Sequence, residues 1–190
     1  AGKIPLDVEK MNIHLLSLSA HKIYGPKGCG ALYVRRKNPR IELESIIHGG
    51  GHEKGFRSGT LAVHNIVGLG IACEISQQLV DEESKRISSL RDKLLNGLQS
   101  QIPNLIINGS MKYRLAGNLN VCFPSSKSDS IMMSMRDIAL SSGSACTSLS
   151  IQPSHVLLAL GLKKSNRMLP FVLGLVDLIQ KPRLNTLLKK

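Results

Sequence analysis

Apolar and polar positions along the chain form segments that predict strands and helices in turn. The largely apolar run 13–19 predicts a buried strand, and residues 31–34 predict the next strand after a glycine-rich turn. In residues 82–102 apolar side chains recur at helical spacing between charges, which predicts an amphipathic helix that ends before Pro103. Strands that alternate with helices indicate an α/β or α+β layered fold.

Further segments extend this pattern. The apolar, proline-free stretch 61–80 predicts a helix with a packed face, whereas residues 48–59 contain five glycines, too many for a helix interior, and predict a loop. Shorter segments predict two more strands and two more helices, at 105–108, 118–123, 128–139 and 153–160.

Composition and charge narrow the class of protein. The 190 residues are 42% hydrophobic, enough for a buried core, and we find no signal-peptide pattern and no apolar run of the about 18–20 residues that a membrane span needs. We therefore expect no membrane contact and a cytoplasmic location, or the mitochondrial matrix in a eukaryote. Half of the net charge of +12 lies in residues 163–190, which hold seven Lys or Arg against one acid, and aromatic content is 3%. We expect no direct binding of nucleic acid.

The cysteines and histidines give little support to a resident metal site. No Cys-x-x-Cys pair occurs, which argues against a zinc ribbon. Cys73 and Cys122 lie in apolar surroundings and are predicted to be small buried residues. His48 and His52 are separated by three glycines, so they cannot share a stable helix face, and no third ligand is evident.

Two segments far apart in the chain carry complementary chemistry. Residues 19–28 offer Lys22 among hydroxyl and imidazole donors, and residues 141–148 offer Cys146 among small residues. A lysine that can form a Schiff base, together with a thiol on a loop that can move, indicates pyridoxal phosphate chemistry that ends on sulfur. Taken alone, a lysine in a turn is usually solvated and a cysteine is usually a buried structural residue.

Five motifs, read in order, strengthen this interpretation. They are Ser-Ala-His-Lys-Ile-Tyr-Gly-Pro-Lys-Gly (19–28), His-Gly-Gly-Gly-His-Glu (48–53), Arg-Ser-Gly-Thr (57–60), Gly-Asn-Leu-Asn-Val (117–121) and Ser-Ser-Gly-Ser-Ala-Cys (141–146). From Ala1 to about Leu162 the chain resembles the cysteine desulfurases of the iron–sulfur-cluster assembly type, a transferase group among the class V aminotransferases. The resemblance implies an α/β fold-type-I PLP-transferase: residues 1–78 as the remnant of the large cofactor domain, and residues 79–190 as the small α+β C-terminal domain.

The resemblance also implies roles for individual residues. Lys22 would bind the aldehyde of pyridoxal 5'-phosphate as a Schiff base and later move protons. Ser19, Ala20 and His21 would bind the cofactor phosphate, with Ala20 contributing its backbone. Thr60 would reach the phosphate of the neighbouring subunit, which implies a homodimer. The alternative for Thr60 is the N-cap of the helix that follows it.

Cys146 would be the nucleophile that accepts sulfur. In the family the thiol at this motif takes the sulfur of L-cysteine as a persulfide and releases L-alanine. The resemblance further implies transfer of that sulfur to an iron–sulfur scaffold protein and to other sulfur acceptors, including partners in tRNA thiolation. It also implies transient ligation of an iron–sulfur cluster through the Cys146 persulfide.

Both ends of the sequence depart from the family pattern. The aspartate that pairs with the pyridine nitrogen and the histidine that stacks on the ring would lie upstream of Ala1. After Leu162 the family's Ser-x-Arg-Phe is missing, residues 163–190 are atypical, and we hypothesise a frameshift near residues 163–168. Three functions stay open: an N-terminally truncated cysteine desulfurase, an inactive split-gene or pseudogene remnant that keeps partner binding, and a basic RNA-binding interaction protein.

Overall fold

The chain consists of two compact units. The computed structural model describes residues 1–123, 131, 133–135, 155–161 and 171–174. One unit comprises Ala1–Glu82 and the other Glu83–Lys190; the domain boundary that the resemblance implies, between residues 78 and 79, stays a prediction. In the described ranges no helix combines the length and the hydropathy needed to cross a membrane.

An antiparallel hairpin forms the centre of the first unit. Strand β1 (Leu15–Ser19) pairs with β2 (Gly30–Val34) in a register that places Ser19 opposite Gly30. Both strands were predicted, but the expectation that the first is buried is wrong, because its residues alternate between exposed and half-buried. Burial of a strand on both faces requires cover on both sides. Here Leu18 packs against the small core of this unit, whereas Leu15 is 45% exposed.

One long helix follows the hairpin and its loop. Helix α1 (Val63–Gln101) runs without interruption for 39 residues, where the sequence predicted two helices at 61–80 and 82–102. That division is wrong because it rested on a change from an apolar to an amphipathic pattern. Asp81 and Glu82 at the junction are compatible with a helix interior, and the first proline after the start of α1 is Pro103.

The second unit is organised around a three-stranded antiparallel sheet. Strands β3 (Ile106–Ile107), β4 (Asn118–Cys122) and β5 (Phe171–Gly174) lie in the order β3-β4-β5, so β4 is paired on both sides. The first two confirm the predicted strands, whereas no element was predicted at β5. The core of this unit joins strand residues to one face of α1 and consists of Ile87, Leu90, Leu94, Leu95, Leu119 and Val121.

A buried polar cluster connects β3 to β4. The Asn108 side chain is buried and donates from Nδ2 to Asn120 Oδ1 at 2.7 Å and to Cys122 Sγ at 3.2 Å. The carbonyl oxygen of Asn108 accepts a hydrogen bond from the Arg114 guanidinium. Burial, and secondarily the positive charge of Arg91, lower the pKa of Arg114. The polar groups of Asn108 thus have partners inside the unit, as buried polar groups require.

The remaining predicted elements are described in part. Helix α2 (His155–Ala159) confirms the helix predicted at 153–160, and Gly161 follows it with a φ of +86°, the left-handed geometry of a helix stop. Residues 131, 133 and 134 are helical, within the helix predicted at 128–139, most of which lies outside the described residues. Cys122 is buried as predicted, but Cys73 is exposed; it lies on α1 next to Ala72, whose side chain takes the core position.

Candidate functional site

The turn that carries Lys22 is anchored by a buried residue on each side of the lysine. This lysine turn, residues 19–28, leaves β1 through a 3-10 segment, Ala20–Ile23. Ala20 is 0% exposed and Ile23 is 4% exposed. The Ala20 N–H donates to the Cys29 carbonyl at 3.0 Å, and the Ala20 carbonyl accepts from the Gly25 N–H at 2.9 Å. The two buried side chains and these bonds fix the backbone on either side of Lys22.

The polar side chains of the lysine turn face outward. Ser19, His21 and Lys22 are exposed, and none of their side chains makes a hydrogen bond or ion pair with another described residue. The cation that lies over the Tyr24 ring is Lys3, at 5.0 Å from the ring centroid. The turn therefore presents a primary amine, a hydroxyl and an imidazole within four consecutive residues. The Ala20 N–H is already bonded to Cys29, and its predicted role toward a phosphate stays a prediction.

Helix α1 holds the lysine turn through a glycine contact. A Cβ on Gly68 would lie 2.6 Å from Cγ of Pro26, so only glycine permits the helix and the turn to approach this closely. A Cβ on Gly25 would lie 3.1 Å from Cβ of Ala20 and 3.2 Å from Cβ of Ala72. Close packing of this kind transmits any change on the helix to the turn.

We expect Gly68→Ala to destabilise the first unit and displace the lysine turn. Overpacking a well-packed site costs about 1–3 kcal/mol, and only about 1 kcal/mol is recovered from the better helix propensity of alanine. Gly70→Ala is the matched control, because nothing lies within 4 Å of a Cβ there. The measurement is the urea unfolding midpoint of each variant. Equal shifts for the two would show that the Gly68–Pro26 contact does not constrain the turn.

Thr60 lies in a loop separate from the lysine turn. Its side chain is exposed and makes no hydrogen bond with another described residue. Helix α1 begins at Val63, three residues further on, so the alternative that Thr60 is its N-cap is wrong. The structure brings Ser19, Ala20, His21 and Lys22 into one turn. Cys146 lies outside the described residues, and its approach to Lys22 stays a prediction.

Two side chains in the loop before Thr60 were missed from the sequence. The His52 Nδ1 accepts a hydrogen bond from the Gly59 N–H, and the Ser58 Oγ accepts one from the Gly51 N–H, each at 3.3 Å. The run His-Gly-Gly-Gly-His-Glu is the sequence feature that indicates such bonds, because an ordered glycine loop needs side-chain partners for its backbone. No group of three or more potential metal ligands occurs among the described residues.

Comparison with known proteins identifies the family. Residues 1–169 match the family described as aminotransferase class-V. The chain belongs to this family. Among its class-V relatives is the cysteine desulfurase IscS of Tolumonas auensis, which is 58% identical over 162 residues, covering 85% of this chain and 40% of the relative. The chain thus spans about 40% of the length of the curated class-V relatives it matches.

Solved structures agree with the class-V assignment. A NifS-like protein superposes with a TM-score of 0.83 at 32% identity, over 99% of this chain and 48% of its own. The structure of SspA in complex with cysteine superposes with a TM-score of 0.68 at 38% identity, over 91% of this chain and 47% of its own. The resemblance to cysteine desulfurases and the α/β fold class, both predicted from the sequence, are confirmed.

Proposed function

We propose that this chain is the lysine-bearing part of a cysteine desulfurase that uses pyridoxal 5'-phosphate, converts L-cysteine to L-alanine and carries the sulfur as a persulfide on Cys146. The observation that carries the proposal is the exposed Lys22 amine, which has no partner among the described residues. The 58% identity to a cysteine desulfurase supports the reaction, and the cysteine complex of SspA supports the substrate. These likenesses favour a desulfurase over a basic RNA-binding protein.

The side chains of the lysine turn fit this cofactor. When bound, pyridoxal phosphate supplies an aldehyde and a conjugated ring that withdraws electrons from the α-carbon of an amino acid. A primary amine without a competing carboxylate is the group that captures such an aldehyde, and Lys22 provides it. The Ser19 hydroxyl and the His21 imidazole are exposed donors for a phosphate, three and one residues away.

Each residue then has a separate task. Lys22 holds the cofactor and moves a proton at its Nζ to and from the substrate carbon atoms. Ser19 and His21 bind the phosphate, while the buried Ala20 and Ile23 keep the turn from moving when the amine changes its bonding.

Thr60 completes the phosphate site of the partner subunit in a homodimer. Its exposed hydroxyl, which has no partner in the part of the chain that the structure describes, is free to donate to that phosphate. The second subunit of the dimer therefore contributes to each site. Because a phosphate held from two subunits would need both of them, cofactor binding and dimer formation are expected to depend on each other.

Cys146 accepts the sulfur in this scheme. Its thiolate bonds to the sulfur of L-cysteine while the carbon–sulfur bond of the substrate breaks, and the electron pair of that bond stays on carbon. The carbon takes up a proton, so that L-cysteine and one thiol yield L-alanine and one persulfide. We further propose that the persulfide passes to an iron–sulfur scaffold protein and to other sulfur acceptors, in the cytoplasm or a mitochondrial matrix.

The test of this function is alanine formation by the purified chain supplied with pyridoxal phosphate and L-cysteine. We expect one alanine for each persulfide, no alanine from Cys146→Ala, and unchanged formation from Cys73→Ala, a matched control because Cys73 is a free, exposed thiol outside the sulfur-transfer motif. Alanine is measured by chromatography and persulfide by mass spectrometry. Absence of alanine from the wild-type chain, or alanine that persists without Cys146, would contradict the proposal.

A further inference from the structure

The loop that precedes Thr60 is rich in glycine and has main-chain hydrogen bonds of its own within residues 51–56 and from Ser58 to Ile47. In this glycine loop, residues 47–59, four glycines have a positive φ, from +72° to +148°: Gly49, Gly51, Gly55 and Gly59. Glycine loses more conformational freedom on ordering than any other residue. An ordered conformation of the loop around Gly49 and Gly59, outside these main-chain bonds, therefore depends on side-chain bonds that cross it.

Two side chains provide these bonds in opposite directions. Ser58, which is 6% exposed, reaches back to accept the Gly51 N–H, while its own N–H donates to the Ile47 carbonyl at 3.2 Å. His52 reaches forward and accepts the Gly59 N–H at its Nδ1. The loop is thus joined to itself at two places by side chains that the proposed reaction does not otherwise use.

The glycines of the loop leave room for these two side chains. A Cβ on Gly50 would lie 2.9 Å from Cε1 of His52, so the imidazole rests against the backbone at Gly50. A Cβ on Gly49 would lie 3.3 Å from Cβ of Ser58. The glycine run therefore serves to seat the imidazole and the serine, in addition to giving the loop its turns.

The His52 bond controls the residue next to Thr60. Gly59 immediately precedes Thr60 and has a φ of +125°. Glycine adopts many other conformations as readily, so a contact outside the residue must hold this one. After Thr60 the chain enters α1 at Val63. The Thr60 backbone is therefore held by the imidazole on one side and by the helix start on the other.

We propose that His52 and Ser58 are positioning residues that hold the glycine loop closed and so orient the Thr60 hydroxyl toward a phosphate. This inference rests on the proposed function for the identity of that phosphate. Neither residue touches the cofactor in this scheme; both act through the backbone of residues 51 and 59. Loss of the His52 bond leaves Thr60 attached to a glycine whose N–H is no longer held, and loss of the Ser58 bond releases the loop at Gly51.

The chemistry of His52 provides a rescue variant. An imidazole that accepts at Nδ1 is neutral and carries its proton on Nε2. In asparagine the side-chain oxygen occupies the position that Nδ1 has in histidine, whereas in alanine no acceptor exists. His52→Asn is therefore expected to keep the bond to the Gly59 N–H, and His52→Ala to lose it. His48→Ala is the matched control, because His48 is an exposed histidine of the same loop that has no hydrogen-bonding partner among the described residues.

The first measurement is amide hydrogen exchange of the full chain without added cofactor. A net hydrogen bond of ordinary strength corresponds to a change of about fivefold. We expect exchange at Gly59 to accelerate about fivefold in His52→Ala and to stay at the wild-type rate in His52→Asn and His48→Ala. Ser58→Ala should accelerate exchange at Gly51 similarly. Unchanged exchange in His52→Ala would overturn the inference whether or not the chain binds a cofactor.

The second measurement is a double-mutant cycle on cofactor affinity, followed by the absorbance of bound pyridoxal phosphate. His52→Ala should weaken binding about fivefold in the wild-type background and have no further effect in Thr60→Ala, because His52 acts through Thr60. Equal and additive effects of the two substitutions would overturn the inference and assign His52 a general structural role. If the wild-type chain takes up no cofactor, the proposed function fails, and the exchange measurement alone decides whether the loop is held as inferred.

Discussion

Replacement of Lys22 by alanine is expected to abolish retention of pyridoxal phosphate and to reduce alanine formation by about 10³-fold or more, the scale seen when a residue that bonds covalently to the reacting group is removed. The side chain is exposed and makes no hydrogen bond or ion pair with another described residue, so its loss leaves the packing of Ala20 and Ile23 intact. The variant should therefore unfold at the wild-type urea concentration while it loses the visible absorption band of the bound cofactor.

Two control variants test whether cofactor retention depends on the amine itself, on its positive charge or on its position in the turn. Lys22→Arg keeps the positive charge but offers a guanidinium, which does not condense with an aldehyde under these conditions, so the band should also be lost. Lys27→Ala removes another exposed lysine of the same turn and should keep the band. A full band in Lys22→Ala, or its loss in Lys27→Ala as well, would contradict the assignment of Lys22.

The second large effect concerns stability. Leu119→Ala is expected to destabilise the second unit by about 2–5 kcal/mol, because it removes a buried side chain from the centre of a packed core and leaves a cavity. Leu119 is 0% exposed and lies on β4, opposite the core face of α1. The measurement is urea unfolding of the full chain followed by circular dichroism, with the midpoint and the slope fitted together.

Leu115→Ala is the matched control for this substitution. Leu115 is the same residue type a short distance before β4, but it is 49% exposed. Because a surface substitution usually changes stability by no more than about 0.5 kcal/mol, its midpoint should stay near that of the wild type. If the two substitutions shifted the midpoint equally, Leu119 would not belong to the core of this unit.

The parts of the fold that depend on local sequence could be predicted. The hairpin and the lysine turn between its strands follow from glycine and proline signals next to short apolar runs, such as Gly25 and Pro26. The continuity of α1 could not be predicted in this way. Near Asp81 the apolar face of the helix changes its partner, and a change of partner resembles a break when only the pattern is visible.

The exposure of individual residues depends on tertiary contacts and was harder to predict. Leu15 and Cys73 have the side chains of core residues, yet both are exposed. Their burial would require other parts of a structure to cover one face of β1 and of α1. The pattern along a chain indicates that a face is apolar, but it does not indicate what lies against that face.

The candidate site likewise contains residues that could be predicted from the sequence and residues that could not. Lys22, Ser19 and His21 were selected because the motif around them is contiguous, and contiguous residues share a turn whatever the rest of the fold does. The bonds from His52 and Ser58 could not be predicted, because they form only when several glycines adopt positive φ values together. From sequence alone such a run of glycines indicates freedom of the backbone, and it does not indicate the particular bonds that remove that freedom.

Strand β5 lies beyond residue 169, where the family match ends, and it pairs with β4 from Asn118 opposite Gly174 to Val121 opposite Phe171. Such a ladder is made of main-chain amides, which are the same whatever side chains they carry. A change of reading frame would alter the amino-acid sequence of a C-terminal segment and still leave its peptide groups able to form these bonds. The flank of β4 is thereby closed to foreign strands, and the edge position on that side of the sheet passes to β5.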